Sequence, residues 1–292
     1  MKARASTIAA ALLAPLLSFF SASDSRADLM LYGVTFFDNQ LISIDANTGA
    51  ATLVGPLGTP MSPFGLATYN NGLYTFDSTA DVIRQIDPTT GATASTINVG
   101  MGAVLGQGGL AISKDGIGFL SSALDPKTLD PANNLYELNL KTGTSFLLGH
   151  TSSTLEALAF SPDGTLYGLG KFDGDLYKLN TSTAAMTLVG NTGADNGSLT
   201  GGLTFHPDGT LYATFNDALF TLNTTNGLAT AVNSDPNAST GFSSISGLAV
   251  AAVPEPSPLL LFAAATGVLG VFKTVQTRLK GHTATQTVSD KA

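Results

Sequence analysis

Residues 202–215 read GLTFHPDGTLYATF, and residues 157–169 read ALAFSPDGTLYGL. Each stretch has a short apolar run, then Pro-Asp-Gly, and then a second apolar run that begins with Leu-Tyr. Asp-Gly supplies the positive φ that a tight hairpin turn requires, so each stretch predicts two antiparallel strands joined by a turn. The fold class follows from how often this unit recurs along the chain.

The first strand of the unit recurs five times as Gly-Leu-Ala or a close variant. Its copies are Gly65-Leu66-Ala67, Gly109-Leu110-Ala111, Ala157-Leu158-Ala159, Gly202-Leu203-Thr204 and Gly247-Leu248-Ala249. The five leucines are 44, 48, 45 and 45 residues apart. The second strand recurs as Leu31-Tyr32, Leu73-Tyr74, Leu166-Tyr167 and Leu211-Tyr212, with Ile117-Gly118-Phe119 in its place once. A constant period of this length indicates one structural unit per repeat.

A third strand ends in an apolar residue followed by Asp or Asn, and a fourth strand follows a Thr-Gly or Asn-Gly turn in most copies. The third-strand ends are Ile44-Asp45, Ile86-Asp87, Leu138-Asn139, Leu179-Asn180 and Leu222-Asn223. Four short strands in about 45 residues is the size and content of one propeller blade. The recurring aspartates of these turns are therefore predicted to form turns rather than a site.

The two ends of the array predict how it closes. The first Leu-Tyr strand, at Leu31, has no Gly-Leu-Ala strand before it, and the last one, at Gly247, has no Leu-Tyr strand after it. We therefore predict an all-β, five-bladed β-propeller over residues 28–252, with its first blade completed by the C-terminal strand. An open β-solenoid and an irregular sandwich are the alternatives. The pattern resembles the broad group of WD-repeat, YVTN and NHL-like propellers, although the chain has no Trp and so no WD dipeptide.

The N-terminus has the layout of a secretory signal peptide. Basic Lys2 and Arg4 precede an apolar stretch over residues 8–20, and Ser25-Arg26-Ala27 ends in a small residue. This order predicts a signal peptide over residues 1–27 with cleavage after Ala27. An uncleaved membrane anchor is the alternative, for which the apolar stretch is short.

The C-terminus carries a second processing pattern over residues 253–292. Val253-Pro254-Glu255-Pro256-Ser257 is followed by an apolar run over residues 259–272 and then by dispersed basic residues. This order resembles the PEP-CTERM sorting signal of Gram-negative bacteria that make exopolysaccharide. The resemblance implies an exosortase as partner, cleavage near Pro-Glu-Pro and transient membrane anchoring through 259–272. The family's tight arginine cluster is absent, and a polar tail follows the basic residues.

Composition limits the classes of partner and site. The 292 residues include no Cys, which removes disulfides and thiolate chemistry. Residues 28–252 contain six basic and eighteen acidic side chains, a net charge of −12. Such a body repels phosphate backbones, so nucleic acid is not an expected partner.

Two features depart from the repeat and are the candidate ligand sites. Glu156 stands where the other copies have Phe64, Gly108, Gly201 and Ser246. A carboxylate there, at the predicted channel mouth, could hold a cation or a sugar hydroxyl. The longest insertion, residues 125–134, offers two acids and two amides as possible Ca²⁺ ligands. These candidates are Asp125, Asp130, Asn133 and Asn134. They lack the alternation and fixed glycine of a calcium loop, and no other cofactor is expected.

No complete catalytic set can be proposed from the spacing. Glycosidase-type propellers need two or three facing carboxylates, and lactonase-type propellers need a metal cage, whereas Glu156 is a single candidate. The histidines are His150, His206 and His282, and none has a Ser and Asp at a spacing that predicts a triad. The sequence therefore favours an exported surface or matrix protein that binds polysaccharide or protein without catalysis. A secreted glycan-acting hydrolase or lyase using Glu156 is the first alternative, and an inert structural spacer is the second.

Overall fold

The structure is a computed structural model that describes residues 29–101, 108–125, 127–194, 201–215, 217–233 and 239–252. The predicted signal peptide, its cleavage site at Ala27 and the tail over residues 253–292 lie outside these ranges. Within them, no helix is long and apolar enough to cross a membrane.

The described residues form five antiparallel sheets, each of four strands. Blade 1 contains β1 (Leu29–Thr35), β2 (Gln40–Ile44), β3 (Ala51–Pro56) and β20 (Ile245–Ala252). Blade 2 contains β4 (Pro63–Tyr69), β5 (Gly72–Asp77), β6 (Val82–Ile86) and β7 (Thr93–Asn98). Blade 3 contains β8 (Leu110–Ile112), β9 (Ile117–Leu124), β10 (Pro131–Asn139) and β11 (Thr144–His150). Blade 4 contains β12 (Leu155–Phe160), β13 (Leu166–Gly170), β14 (Asp175–Leu179) and β15 (Met186–Asn191). Blade 5 contains β16 (Gly201–Phe205), β17 (Leu211–Phe215), β18 (Ala218–Leu222) and β19 (Ala229–Ala231).

The blades close into a ring around the Gly-Leu-Ala strands. The inner strands β20, β4, β8, β12 and β16 each contact the next, and β16 contacts β20. In blade 1, β20 pairs with β1 in the register Leu31 opposite Val250. The prediction of a five-bladed propeller closed by the C-terminal strand is therefore confirmed, and the solenoid and sandwich alternatives are excluded.

The apolar core is divided into five clusters, one between each pair of neighbouring blades. The leucines of the repeat supply one buried side chain to each cluster. They are Leu66, Leu110, Leu158, Leu203 and Leu248. Full burial of such a side chain stabilises the fold by about 1.5–3 kcal/mol, which explains why leucine recurs at this position.

The glycines before these leucines allow the inner strands to meet at the axis. A β-carbon added to Gly65 would lie 2.2 Å from the backbone nitrogen of Leu110, and one added to Gly247 would lie 2.4 Å from the carbonyl carbon of Gly65. Between the Gly-Leu pairs there is no room for a water molecule. The axis is therefore closed at this level, although Glu156 was predicted to lie at the mouth of a channel.

The recurring turn residues have the predicted role. Asp45 accepts hydrogen bonds from the backbone N–H groups of Asn47 and Thr48, and these bonds hold the pKa of Asp45 below its usual range. Asp87, Asn139, Asn180 and Asn223 accept equivalent bonds in the other blades. These side chains define turns and are not available as a site.

The antiparallel order of the strands gives the ring two different faces. The inner strands begin at what we call the upper face. The connections between blades and the hairpins between second and third strands therefore lie there. The hairpins between first and second strands, and between third and fourth strands, lie at the opposite, lower face.

Candidate functional site

Glu156 lies at the upper end of β12, where the pairing of β12 with β13 is irregular. Leu155 pairs with Gly170 and Ala157 pairs with Leu169, so Glu156 is an extra residue with no partner in the ladder. Such a bulge redirects the side chain of the extra residue. Ser246 occupies a bulge at the same position in blade 1, so blade 4 differs in carrying a carboxyl group there.

The carboxyl group of Glu156 is almost completely shielded from solvent. The residue is 3% exposed, and neither oxygen has a hydrogen-bond partner among the described residues. The pKa of Glu156 is raised to about 8, chiefly because burial disfavours the charged form; the positive charge of Lys171 opposes this rise and the negative charge of Asp173 adds to it. At neutral pH the group therefore holds its proton, unlike an ordinary surface glutamate.

Lys171 is brought to Glu156 by the upper hairpin between β13 and β14. It is 3% exposed, and its backbone N–H donates to the carbonyl of Thr154, 2.9 Å away, which fixes the hairpin beside β12. Burial lowers the pKa of the Lys171 ammonium, and the nearby Glu156 opposes this shift. The Lys171 nitrogen also lies 5.6 Å from the ring centroid of Phe172, which is 77% exposed.

Asp173 is held in the same hairpin by several donors. The Ser153 and Tyr177 hydroxyl groups both donate to its Oδ2 atom, and the Asp175 backbone N–H donates to Oδ1. Burial and the bonds to Asp173 raise the pKa of the Tyr177 hydroxyl well above its usual range. The hairpin thus places Lys171 and Asp173 close enough to act on Glu156, and it carries the exposed ring of Phe172 beside Lys171.

Asp77 provides the contrast that makes Glu156 unusual. It is 1% exposed at the upper end of blade 2, but Arg84 donates to it from two nitrogen atoms, at 2.9 and 2.7 Å. The backbone N–H groups of Ser62 and Thr79 bond its other oxygen. Asp77 is thus a satisfied structural carboxylate, whereas Glu156 is not.

The predicted ligand residues of the insertion lie on the same upper face. Asp125 accepts backbone bonds from Lys127 and Thr128, so it closes the turn between β9 and β10. Its backbone N–H donates to the carbonyl of Asp130, and both residues remain accessible at the tip of the hairpin.

The two amides of the insertion belong to β10. Asn133 braces the next blade connection, because its oxygen accepts from the Thr154 hydroxyl at 2.7 Å. Asn134 is fully buried, and its Oδ1 atom has no hydrogen-bond partner within the described part of the chain. The described residues contain no group of three or more acids and histidines placed for a metal ion, so Ca²⁺ binding remains a prediction.

The described histidines lie apart from Glu156. His206 is in the lower hairpin between β16 and β17, where its Nδ1 atom lies 2.9 Å from an oxygen of Asp208. His150 is on the outer strand β11, and its Nδ1 atom lies 3.0 Å from the carbonyl of Ala132. His282 lies outside the described residues.

Lys171, Phe172 and Asp173 are the residues that the sequence did not single out. The available signal was weak: Lys171 is one of only six basic residues between 28 and 252, and it directly follows a predicted strand. Their role depends on the hairpin folding back over the start of β12, which no repeat position encodes.

Comparisons with known proteins identify the fold but no family. No family model and no curated protein matches the chain. Among solved structures, a gluconolactonase from Xanthomonas campestris is similar with a TM-score of 0.50 and 14% identity, over 70% of this chain and 72% of that chain. A streptogramin B lyase is similar with a TM-score of 0.45 and 14% identity, over 72% of this chain and 67% of that chain. At such identity the likeness shows the fold alone.

These comparisons correct one expectation from the sequence. The non-catalytic binding or scaffold role was preferred because the repeat offered no recognisable catalytic set. The gluconolactonase is an enzyme by its own description, so the comparison gives the non-catalytic preference no support. Glu156 is also 3% exposed and has no hydrogen-bond partner among the described residues, which separates it from an ordinary surface carboxylate.

Proposed function

We propose that this propeller is an exported hydrolase or lyase that cleaves a glycan by acid–base catalysis at Glu156. The observation that carries the proposal is the state of that side chain. It is a buried carboxyl group with a pKa of about 8 and no hydrogen-bond partner among the described residues. A carboxylic acid that keeps its proton near neutral pH can donate it to a leaving group.

A structural role does not account for the cost of this arrangement. A buried polar group without a partner destabilises a fold by about 1–3 kcal/mol, and Ser246 shows that a small hydroxyl residue fits the same bulge. Strongly shifted pKa values of this kind are concentrated at catalytic and binding sites. The cost is therefore best explained by a reaction that needs the proton.

The neighbouring hairpin supplies the other groups that the reaction requires. Lys171 places a positive charge where it stabilises the ionised form of Glu156 after proton transfer. Asp173 is the second carboxyl group, held by Ser153 and Tyr177, and we assign it the role of the base. Most glycosidases use two carboxyl groups in different environments, one as the acid and the other as the base or nucleophile.

The proposed substrate class follows from the net charge of the propeller and from its predicted location outside the cell. The body has a net charge of −12, which disfavours an acidic polysaccharide and favours a neutral one. A neutral glycan lacks the uronic acid carboxyl group that a lyase needs to remove the neighbouring proton, so the charge favours the hydrolase over the lyase. The exposed ring of Phe172 beside Lys171 is suited to stack on the apolar face of a sugar. Export and surface attachment through the PEP-CTERM-like tail would place the enzyme among extracellular glycans.

The proposed activity is tested by incubating the full chain with a panel of neutral and acidic polysaccharides. New reducing ends report either cleavage, and an unsaturated ultraviolet-absorbing product identifies lyase action. We expect cleavage of a neutral glycan, and Glu156→Gln should lower the rate by about 100-fold or more. Asp38→Asn removes an exposed carboxylate of the same face and should leave the rate unchanged. Wild-type activity in Glu156→Gln, or no cleavage of any glycan, would count against the proposal.

The proposed export and surface attachment are tested separately, by the processing of the two termini. The protein is expressed in a Gram-negative host that has an exosortase and is recovered for mass spectrometry. We expect a mature N-terminus at Asp28 and a C-terminus near Pro254–Pro256. Retention of residues 1–27 or of the whole tail at the cell surface would contradict processing by a signal peptidase and an exosortase.

A further inference from the structure

The lower face has a cavity of about 400 Å³ between blades 3 and 4, at the opposite end of the ring from Glu156. Its walls come from the lower hairpins of the two blades and from the third strand of blade 3. The lining side chains with aromatic or charged groups are Lys114, Asp115, Phe119, Glu137, Phe160 and Asp163. A volume of this size is typical of sites for small organic ligands.

The floor of the cavity is an aromatic pair with a carboxylate beside it. The rings of Phe119 and Phe160 meet edge to face, with centroids 5.6 Å apart. Glu137 is the direct cross-strand partner of Phe119, so both side chains lie on the same side of blade 3. Glu137 and both rings line the cavity, where Phe160 is partly exposed and Phe119 is 4% exposed.

The next cleft around the ring, between blades 4 and 5, also has an aromatic pair with a charged cross-strand partner, but that partner is a lysine instead of a glutamate. Tyr167 and Phe205 form the aromatic pair there, with centroids 5.2 Å apart. The cross-strand partner of Tyr167 is Lys178, whose ammonium nitrogen lies 5.5 Å from the Tyr167 centroid. In this cleft the chain's own ammonium group thus occupies the aromatic face.

The cleft between blades 2 and 3 is occupied in another way. Tyr69 packs against Tyr74 and extends over the lower hairpin of blade 3, where a β-carbon added to Gly116 would lie 2.7 Å from the Tyr69 oxygen. The cross-strand partner of Tyr74 is the neutral Gln85. Both neighbouring clefts are therefore covered by side chains of the chain itself.

We infer that the cavity between blades 3 and 4 binds a small organic ammonium ion. The ligand takes on Phe119 and Phe160 the place that the Lys178 ammonium takes on Tyr167, and Glu137 supplies the opposite charge. With a glutamate in place of the lysine, the pair of Phe119 and Phe160 has no ammonium group from its cross-strand neighbour, and the local charge is reversed. This inference is independent of the activity proposed for Glu156.

The remaining charges of the cavity agree with a cation. Asp115, Glu137 and Asp163 face one base, Lys114. The propeller body is itself strongly acidic, which raises the local concentration of cations and disfavours anionic ligands. A phosphate or carboxylate ligand is therefore a poor fit to this cavity.

The test uses choline and its uncharged carbon isostere, dimethylbutanol, titrated into the full chain and followed by NMR or calorimetry. Choline should bind with a dissociation constant on the order of 1 mM and more weakly in high salt, because cation–π and ion-pair contacts depend on the charge. The isostere and glucose should bind at least about ten-fold more weakly. Equal binding of the isostere, or binding of glucose in place of choline, would overturn the inference.

Three variants locate the binding. Glu137→Gln should weaken choline binding by about ten-fold, and Glu137→Lys should abolish it by supplying the ammonium that blade 4 carries. Lys141→Gln removes an exposed positive charge of blade 3 that does not line the cavity and is the matched control, with binding as in the wild type. Circular dichroism confirms that each variant is folded. Choline binding that is unchanged in both Glu137 variants would contradict this assignment of the site.

Discussion

Gly201 lies directly against the carboxyl group of Glu156. A β-carbon added to Gly201 would stand 2.8 Å from the Oε1 atom of Glu156 and 3.2 Å from the carbonyl oxygen of Thr214. Gly201 begins the inner strand of the next blade, so the space for the Glu156 side chain is made by a residue of blade 5. The position of the proposed catalytic acid therefore depends on the contact between two blades.

Substitution of this glycine should disturb both stability and activity. We expect Gly201→Ala to lower the free energy of unfolding by about 1–3 kcal/mol, because the methyl group forces the carboxyl group to move. Urea denaturation measures this change. In a Glu156→Ser background the shorter side chain relieves the crowding, so the same substitution should cost less. An equal cost in both backgrounds would show that the contact with Glu156 is not the cause.

The stability of the protein should fall as pH rises through the range of Glu156 ionisation. Its pKa is raised from 4.5 in the unfolded chain to about 8 in the folded protein. The folded state thus binds more protons between these values and loses up to about 1.4 kcal/mol per pH unit there. Thermal denaturation at a series of pH values tests this expectation. Glu156→Gln should remove this part of the slope and be more stable than the wild type in mildly alkaline buffer. A slope identical in both proteins would contradict the assigned pKa.

Lys171 and Asp173 should shift the Glu156 pKa in opposite directions. Lys171→Met removes a positive charge that lowers this pKa, so the pKa should rise. Asp173→Asn removes a negative charge that raises it, so the pKa should fall. An NMR titration of side-chain carboxyl carbons can follow Glu156, because the chain has only three glutamates. Shifts of the same sign in both variants would disprove the electrostatic coupling.

The closed axis predicts that its glycines tolerate no added side chain. Gly247→Ala should destabilise the ring by about 3 kcal/mol or more, because the new methyl group would meet the backbone of Gly65 in the next blade. Ala157 occupies the corresponding position in blade 4, and Ala157→Gly should cost only about 1 kcal/mol. Comparable losses in the two variants would contradict the close backbone approach at the axis.

The fold could be predicted from the sequence because the repeat encodes it at several levels. The leucines of the inner strands mark the contacts between blades, the Asp-Gly turns mark the hairpins, and the unmatched strands at Leu31 and Gly247 mark the closure. Each signal is local and recurs, so an irregular copy such as Ile117-Gly118-Phe119 does not hide the pattern.

The candidate site could be predicted only in part. Glu156 was recognisable because it departs from a repeated position, but its burial depends on Gly201 in the next blade and on the hairpin that carries Lys171. Phe119 and Glu137 could not be singled out from the sequence. Their importance becomes visible only when this cross-strand pair is compared with the pair of Tyr167 and Lys178 in the next blade. Contacts between blades are set by three-dimensional packing, which the spacing within one repeat does not report.

The pH dependence of glycan cleavage tests the central claim most directly. If Glu156 donates the proton, kcat/KM should fall as pH rises through about 8, because only the protonated carboxyl group is active. Glu156→Gln should show no comparable activity at any pH, while Asp38→Asn should reproduce the wild-type profile. A wild-type rate that is constant or rises through this pH range, or a Glu156→Gln variant with the wild-type rate and profile, would contradict the account.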